Sequence, residues 1–183
     1  MKPRRLALIT RRFWPLVGGA ERAMAGLAHE FQAMGQSVRV LTGKWESQWP
    51  TEIVHREVPV TRLPCPKTRG WGTFRYMSGL KRWLWQHQDN FDAVLVSMLK
   101  HDAHVAVKAL SRLAKPVIIR AEGSGATGDC AFHETARFGG IMKKTCMKAD
   151  AIIAPSEKVS TELLASGFDQ DRLHFIPNGV EVT

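Results

Sequence analysis

Two adjacent glycines, Gly18 and Gly19, stand between the apolar run Leu6 to Thr10 and a segment in which Ala20, Ala23, Met24, Leu27, Ala28 and Phe31 recur at helical spacing up to a stop at Gly35. A strand-to-helix junction without β-carbons lets backbone N–H groups and the positive end of the helix dipole approach an anion of phosphate size. The same pair also suits a plain tight turn that needs positive φ. A second candidate is Arg120-Ala121-Glu122-Gly123, at the end of the apolar run Pro116 to Ala121. Glu122 could stabilise positive charge developing on a substrate, or close a structural ion pair with Arg120.

His101 and His104 follow the apolar segment Ala93 to Ser97, where open α/β sheets place their ligands. Three positions apart, they share one side of a helix once it has begun. Neither an H-E-x-x-H pattern nor a neighbouring cysteine completes a zinc set, so no metal is expected and the pair reads as substrate-contacting or helix-starting. His133 with Glu134 is a further pair that could line a cleft. Gly123-Ser124-Gly125-Ala126-Thr127-Gly128 matches GxGxxG after an apolar strand, which taken alone implies an NAD(P)-binding reductase. However, the acidic residue about twenty positions on, Asp150, starts a strand, whereas a ribose-binding carboxylate ends one. A cleft loop with Asp129 capping the following helix is the better account.

The elements that must hold these residues alternate along the chain. Strands are expected at Leu6–Thr10, Ser37–Thr42, Val58–Leu63, Ala93–Ser97, Pro116–Ala121, Asp150–Ser156 and Leu173–Ile176. Helices are expected over 20–31, 71–88, 102–113 and 157–166, and a polar, tryptophan-bearing loop follows Thr42. Alternation of this kind predicts an α/β fold, a Rossmann-like doubly wound, mostly parallel sheet with helices on both faces. At 183 residues the chain can bury one good core and is too short for two ordinary domains.

The 26 Lys and Arg against 17 Asp and Glu give a formal charge of +9, which favours an acidic partner. No helix-turn-helix, zinc-finger, RNP or KH pattern is present, so nucleic acid is not the expected one. No signal peptide or span of bilayer length is read, and Cys65, Cys130 and Cys146 are widely spaced, like reduced cytosolic thiols. In the helix after Pro66, Phe74, Met77, Leu80, Leu84 and Trp85 form a wide stripe expected to pack on the sheet. Arg75 and Arg82 lie to one side, and Tyr76 and Trp83 fall beyond it. Arg75, Arg82 and Trp83 are the membrane-facing candidates, because tryptophan beside arginine suits a lipid headgroup layer.

Gly18-Gly19-Ala20-Glu21 with its helix and the following strand, the strand-Pro155-Ser156 segment preceded by Ala149-Asp150, and the ending Pro177-Asn178-Gly179-Val180 occur in this order over nearly the whole chain. Together they resemble the N-terminal half of glycosyltransferase family four, retaining enzymes of the two-domain GT-B fold. The resemblance implies that residues 1–183 are the acceptor-side domain, with the donor-binding domain not included. It implies a nucleotide-sugar donor as substrate, a glycan or lipid-linked acceptor, and no cofactor or metal. It also implies a cytoplasmic protein, or one peripheral at the inner face of the cytoplasmic membrane, with an anionic membrane surface as a possible partner. Gly18 and Gly19 would face the donor diphosphate. Glu122 and His101 would be catalytic, Glu122 standing where many relatives carry a histidine. Glu21, His104, Arg120, Ser124 and Asn178 would line the cleft or contact acceptor. A reductase using Gly123, Gly125 and Gly128, and a non-catalytic basic module docking on membrane, are the competing classes.

Overall fold

A computed structural model of the protein describes residues 4–68 and 70–179, so Val180 of the Pro-Asn-Gly-Val ending lies outside the described residues. Among the described residues eight strands form one sheet: β1 (Arg5–Ile9), β2 (Ser37–Lys44), β3 (Glu52–His55), β4 (Val58–Pro64), β5 (Ala93–Ser97), β6 (Val117–Arg120), β7 (Ala151–Ala154) and β8 (Leu173–Phe175). Their spatial order is β3-β4-β2-β1-β5-β6-β7-β8. Every pairing is parallel except that of β3 with β4. Strand β5, Ala-Val-Leu-Val-Ser, is buried along its whole length, as a central parallel strand enclosed on both faces must be.

Six α-helices among the described residues accompany the sheet: α1 (Gly19–Ala33), α2 (Trp71–Gln86), α3 (His101–Leu110), α4 (Asp129–Thr135), α5 (Gly139–Cys146) and α6 (Glu157–Ala165). Helices α2, α3, α5 and α6 contribute Tyr76, Leu80, Leu84, Ala103, Ala106, Cys146, Val159 and Leu163 to the larger core cluster on one face. The smaller cluster on the other face takes Met24 and Ala28 from α1, against Leu8, Val38, Val40 and Val60. The sheet is therefore doubly wound, with β1 at the point where the winding reverses. All three cysteines are free, and burial lifts the Cys146 thiol to about 12.

Two local readings needed correction. The buried residues of α2 are Gly72, Tyr76, Leu80 and Leu84, so the packed face keeps Leu80 and Leu84 of the expected stripe, with Met77 half-buried on the core, but is rotated to enclose Tyr76 completely. Phe74 and Trp85, assigned to the core side, are 60% and 49% exposed. Trp83, a membrane-facing candidate, instead packs on the core, its ring stacked 4.3 Å from His87 and 6.2 Å from Phe91. Strand β3 lies within the expected polar loop, and its hairpin carries no glycine to signal it: Arg56 and Glu57 adopt φ of 48° and 65° in the two-residue turn, a geometry ordinarily signalled by Asn-Gly or Asp-Gly.

Candidate active site

Because β1 lies between β2 and β5, the loops leaving β1 and β5 diverge to opposite sides and open a crevice at the carboxyl ends of the strands. The β1 loop runs into Gly18 and the first turn of α1. Gly18 is extended at φ −166° and Gly19 is not at positive φ, so the expectation that positive φ selects these glycines is not met. Space is the relevant property instead. A β-carbon on Gly18 would lie 2.3 Å from Oε2 of Glu21, which folds back over the helix start and also meets Arg12 Nε at 3.2 Å. A β-carbon on Gly19 would meet nothing within 4 Å and would project into open space. The helix start thus carries orphan N–H groups and the positive dipole end, with a carboxylate already beside them.

At the end of β6, Arg120 and Glu122 form a buried ion pair, their side chains 4% and 9% exposed. Arg120 also donates from Nη2 to Oδ1 of Asn178, and Ser97 Oγ, at the end of β5, donates to Glu122 Oε1 at 2.9 Å. Arg120, Glu122 and Asn178 are thus brought together as one network with Ser97, which sequence reasoning missed. Its signal was a hydroxyl closing an otherwise wholly apolar strand. Burial pushes the Glu122 carboxyl up, against the opposing effects of Arg120 and Ser97.

Asp129 corrects another reading. It is the first residue of α4 rather than its cap, and its carboxylate, 2% exposed, accepts from Leu99 N at 3.1 Å and from Glu122 N at 2.9 Å. One buried carboxylate therefore ties the β5 loop to the β6 loop. It does so where Met98 is held at φ 70°, a strained conformation for a side chain of that size. His133 Nε2 donates to Leu99 O at 2.6 Å and fastens the same loop from below, so it is a buried support and not a cleft residue.

His101 opens α3 and His104 lies one turn on, both half-buried. Burial lowers the tendency of each to protonate, helped at His101 by Arg11 and at His104 by Lys108. His101 sets its ring edge on Phe132 at 5.5 Å, and Nδ1 of His104 is buried without a partner. No cluster of three metal-ligating side chains exists among the described residues. Between the histidines Asp102 is fully enclosed, accepts from Tyr76 Oη at 3.1 Å, and is raised by burial to about 6 despite nearby Arg11. Its folded value lies above the ordinary 3.8, so the neutral form is favoured in the native state. The associated stability is intact below about pH 4 and is lost as pH rises to about 6. Asp102→Asn is expected to raise unfolding free energy by roughly 2–3 kcal/mol at pH 8 and to change little at pH 4, measured by urea denaturation at both pH values.

The GxGxxG loop is occupied by the protein itself. Gly125 N donates to both carboxylate oxygens of Glu162 at 2.9 and 3.0 Å, which places an acid where a dinucleotide pyrophosphate would sit. Gly128 is needed because a β-carbon there would come within 2.7 Å of Gly123 O. Ser124 precedes the 3₁₀ turn Gly125–Thr127 and makes no cap bond from its side chain. Asp150 accepts from Val117 N at 2.8 Å at the opposite edge of the sheet.

An open, doubly wound sheet with a glycine turn at its switch point is the α/β architecture that places ligands at the carboxyl ends of its strands. The chain belongs to the glycosyl transferase 4-like domain family, whose model matches residues 18–179. No curated protein matches it by sequence. Among solved structures, it is similar to a sucrose-phosphate synthase from Thermosynechococcus elongatus, with 15% identity, a TM-score of 0.75, and coverage of 97% of this chain and 48% of that one. It is similar to Anabaena HepE in complex with UDP-glucose, at 14% identity and TM-score 0.70, covering 97% and 44%. The lipopolysaccharide outer core galactosyltransferase WaaB in its apo form gives 14% identity and TM-score 0.63, covering 98% and 47%. The chain thus spans about half the length of these proteins. At these identities the likeness establishes the fold, a Rossmann-like α/β domain matching about half of each of these GT-B chains.

Proposed function

We propose that residues 1–183 act as the acceptor-side domain of a retaining glycosyltransferase that takes its sugar from a nucleotide-sugar donor. Family membership supports the class of reaction. The observation that carries the reading is the open space in front of Gly19 at the N-terminus of α1, beside the switch-point crevice. In this mechanism the donor diphosphate lies against Gly18 and Gly19, where N–H groups and the helix dipole offset the charge of the departing phosphate. A second domain supplies the nucleotide pocket and closes the cleft, and the reaction proceeds without metal or cofactor. Both bonds to Glu122 fall on Oε1, leaving Oε2 to accept from a sugar hydroxyl or to face positive charge at the anomeric carbon. His101, largely neutral at pH 7, would contact acceptor with His104, Glu21 and Ser124 along the cleft. Arg120 and Asn178 would set the cleft wall.

Titrating the ¹⁵N-labelled chain with UDP-glucose and GDP-mannose tests this. Weak binding is expected, with amide shifts at Gly18, Gly19 and Ala20 and no sugar release. Shifts confined to the Gly123–Gly128 loop, or none at the start of α1, would overturn it. Tight binding or sustained transfer by these residues alone would overturn the division of labour between two domains.

The outer face of α2 supports a second property, docking at an anionic membrane surface from the cytoplasmic side. Its exposed residues Trp71, Phe74, Arg75, Ser78, Lys81, Arg82 and Trp85 form one stripe of aromatics and cations, and α2 contains no acidic residue. No helix among the described residues is long and apolar enough to cross a membrane, so contact would be interfacial. Replacing Arg75 and Arg82 with glutamine is expected to weaken sedimentation with phosphatidylglycerol vesicles at low salt, by about 1 kcal/mol per cation. Replacing Trp71 and Phe74 with serine should weaken it further, and equal sedimentation of parent and variants would remove the membrane from this reading.

A further inference from the structure

The loop from β1 to Gly18 carries an exposed indole that the protein holds in place with unusual care. Trp14 is 50% exposed, yet its ring stacks on the imidazole of His55 at a centroid distance of 5.3 Å and an interplanar angle of 20°. His55 is itself set by the buried ring of Phe13, edge-on at 5.5 Å. The backbone on either side is tied down as well. Arg62, 4% exposed in the middle of β4, donates from Nη2 to Trp14 O at 2.8 Å and from Nη1 to Pro50 O at 3.2 Å, with its guanidinium 5.0 Å from the centre of the Trp49 ring. Thr10 Oγ1 donates to Arg12 O at 3.0 Å, and Leu16 N to Phe13 O at 3.0 Å.

Burying a guanidinium requires compensating bonds, and here Arg62 directs both of its assigned bonds to loop carbonyls. An aromatic left half in water gains nothing for the fold from such fixation. A ligand gains, because a ring already held in position loses little conformational freedom when something stacks on it. One face of the indole is covered by His55, and half of the residue's surface remains open to water, four residues from Gly18. A flat, electron-rich ring face suits the C–H-bearing face of a pyranose, whose hydrogens carry partial positive charge, while the hydroxyls at the ring edge remain free for polar neighbours.

We infer that Trp14, backed by His55 and positioned by Arg62, is a stacking platform for a pyranose ring of the acceptor. This rests on the glycosyltransferase reading and narrows it to an acceptor with a sugar at or next to the reacting hydroxyl. A membrane anchor is served by aromatics set within a cationic stripe, as on α2, whereas Trp14 stands apart from that stripe against an imidazole. Trp14 and Arg62 are specificity and positioning residues, respectively, and neither is assigned a step in bond making.

The test is ¹H–¹⁵N spectroscopy of the indole N–H groups together with saturation transfer, using methyl β-D-glucopyranoside, methyl β-D-galactopyranoside, uridine and phosphatidylglycerol vesicles as separate probes. At least one glycoside is expected to shift the Trp14 indole signal and to receive saturation. Trp14→Ala should abolish that transfer, Trp14→Phe should retain part of it, and Arg62→Lys should weaken glycoside binding with the overall fold preserved by circular dichroism. Gly19→Val should leave the glycoside response intact while removing the nucleotide-sugar response at α1, so loss of one reading is distinguishable from loss of the other. Glycoside transfer unchanged by Trp14→Ala, or an indole that responds only to uridine or only to vesicles, would overturn the proposal.

Discussion

Replacing Arg120 with methionine is expected to lower the unfolding free energy by about 3–5 kcal/mol, the range for breaking a buried pair and leaving its partner enclosed. The guanidinium is almost inaccessible to water and satisfies both Glu122 and Asn178, so its removal strands a carboxylate that Ser97 alone then serves. For a chain of this length the melting temperature should fall by roughly 10 °C. The loss has a predictable pH dependence. Burial already holds Glu122 above its ordinary value and Arg120 opposes that shift, so without Arg120 the carboxyl rises further. A folded value raised above the unfolded one leaves stability intact in acid and removes it as pH rises through the folded value. The deficit should therefore be smaller at pH 5 than at pH 8, and the double variant Arg120→Met/Glu122→Gln should recover much of it. Equal deficits at both pH values would mean that Glu122 is not the group left uncompensated.

On the proposed two-domain reading, Gly19→Val is expected to reduce sugar transfer by about 100-fold or more when the domain is paired with a donor-binding one, comparable to removing an anion-stabilising donor from an active site. In the 183-residue chain the measurable counterpart is loss of UDP-glucose shifts at the start of α1 with little change in melting temperature. Fold and function separate here because the glycine is unstrained and faces open space, so the added isopropyl group meets ligand rather than protein. Gly18→Val makes a useful contrast, since its side chain would displace the Glu21 carboxylate from its place over the helix start, a shift that a flexible side chain can make. If Gly19→Val retained full nucleotide-sugar response, the turn would serve only to join β1 to α1.

Every strand but β3, and the helices α1, α2, α3 and α6, were legible because each parallel strand is a short apolar block and each of these helices carries its own period, whereas β3 and α5 carry neither signal. Ala93–Ser97 was read to the residue, and the starts of β2, β4 and α2 were also placed correctly. What escaped depended on partners distant in sequence. The packed face of α2 is decided by Asp102, which draws the Tyr76 hydroxyl inward, and by His87 and Phe91, which take up Trp83. Periodicity cannot supply that information. Asp129 follows a glycine at a helix start and so has the local appearance of a cap, but its acceptors serve amides seven and thirty residues away. At the candidate site, the motifs pointed to Gly18, Gly19, Arg120, Glu122 and Asn178, whereas Ser97 and Arg62 carry no motif and emerge only when strand ends and loops are brought together.

The position of β1 also fixes an order of events as the chain is made. Its first partner, β2, is complete by Lys44, but its other edge belongs to β5, with contacts between residues 87 positions apart. Until Ala93–Ser97 has left the ribosome, the strand destined for the centre of the sheet has an unpaired, apolar edge, the kind of surface that recruits other chains. Nascent fragments ending before β5 should accordingly be aggregation-prone. Refolding of the whole domain should be slow for its size, limited by closure of that one long-range pair.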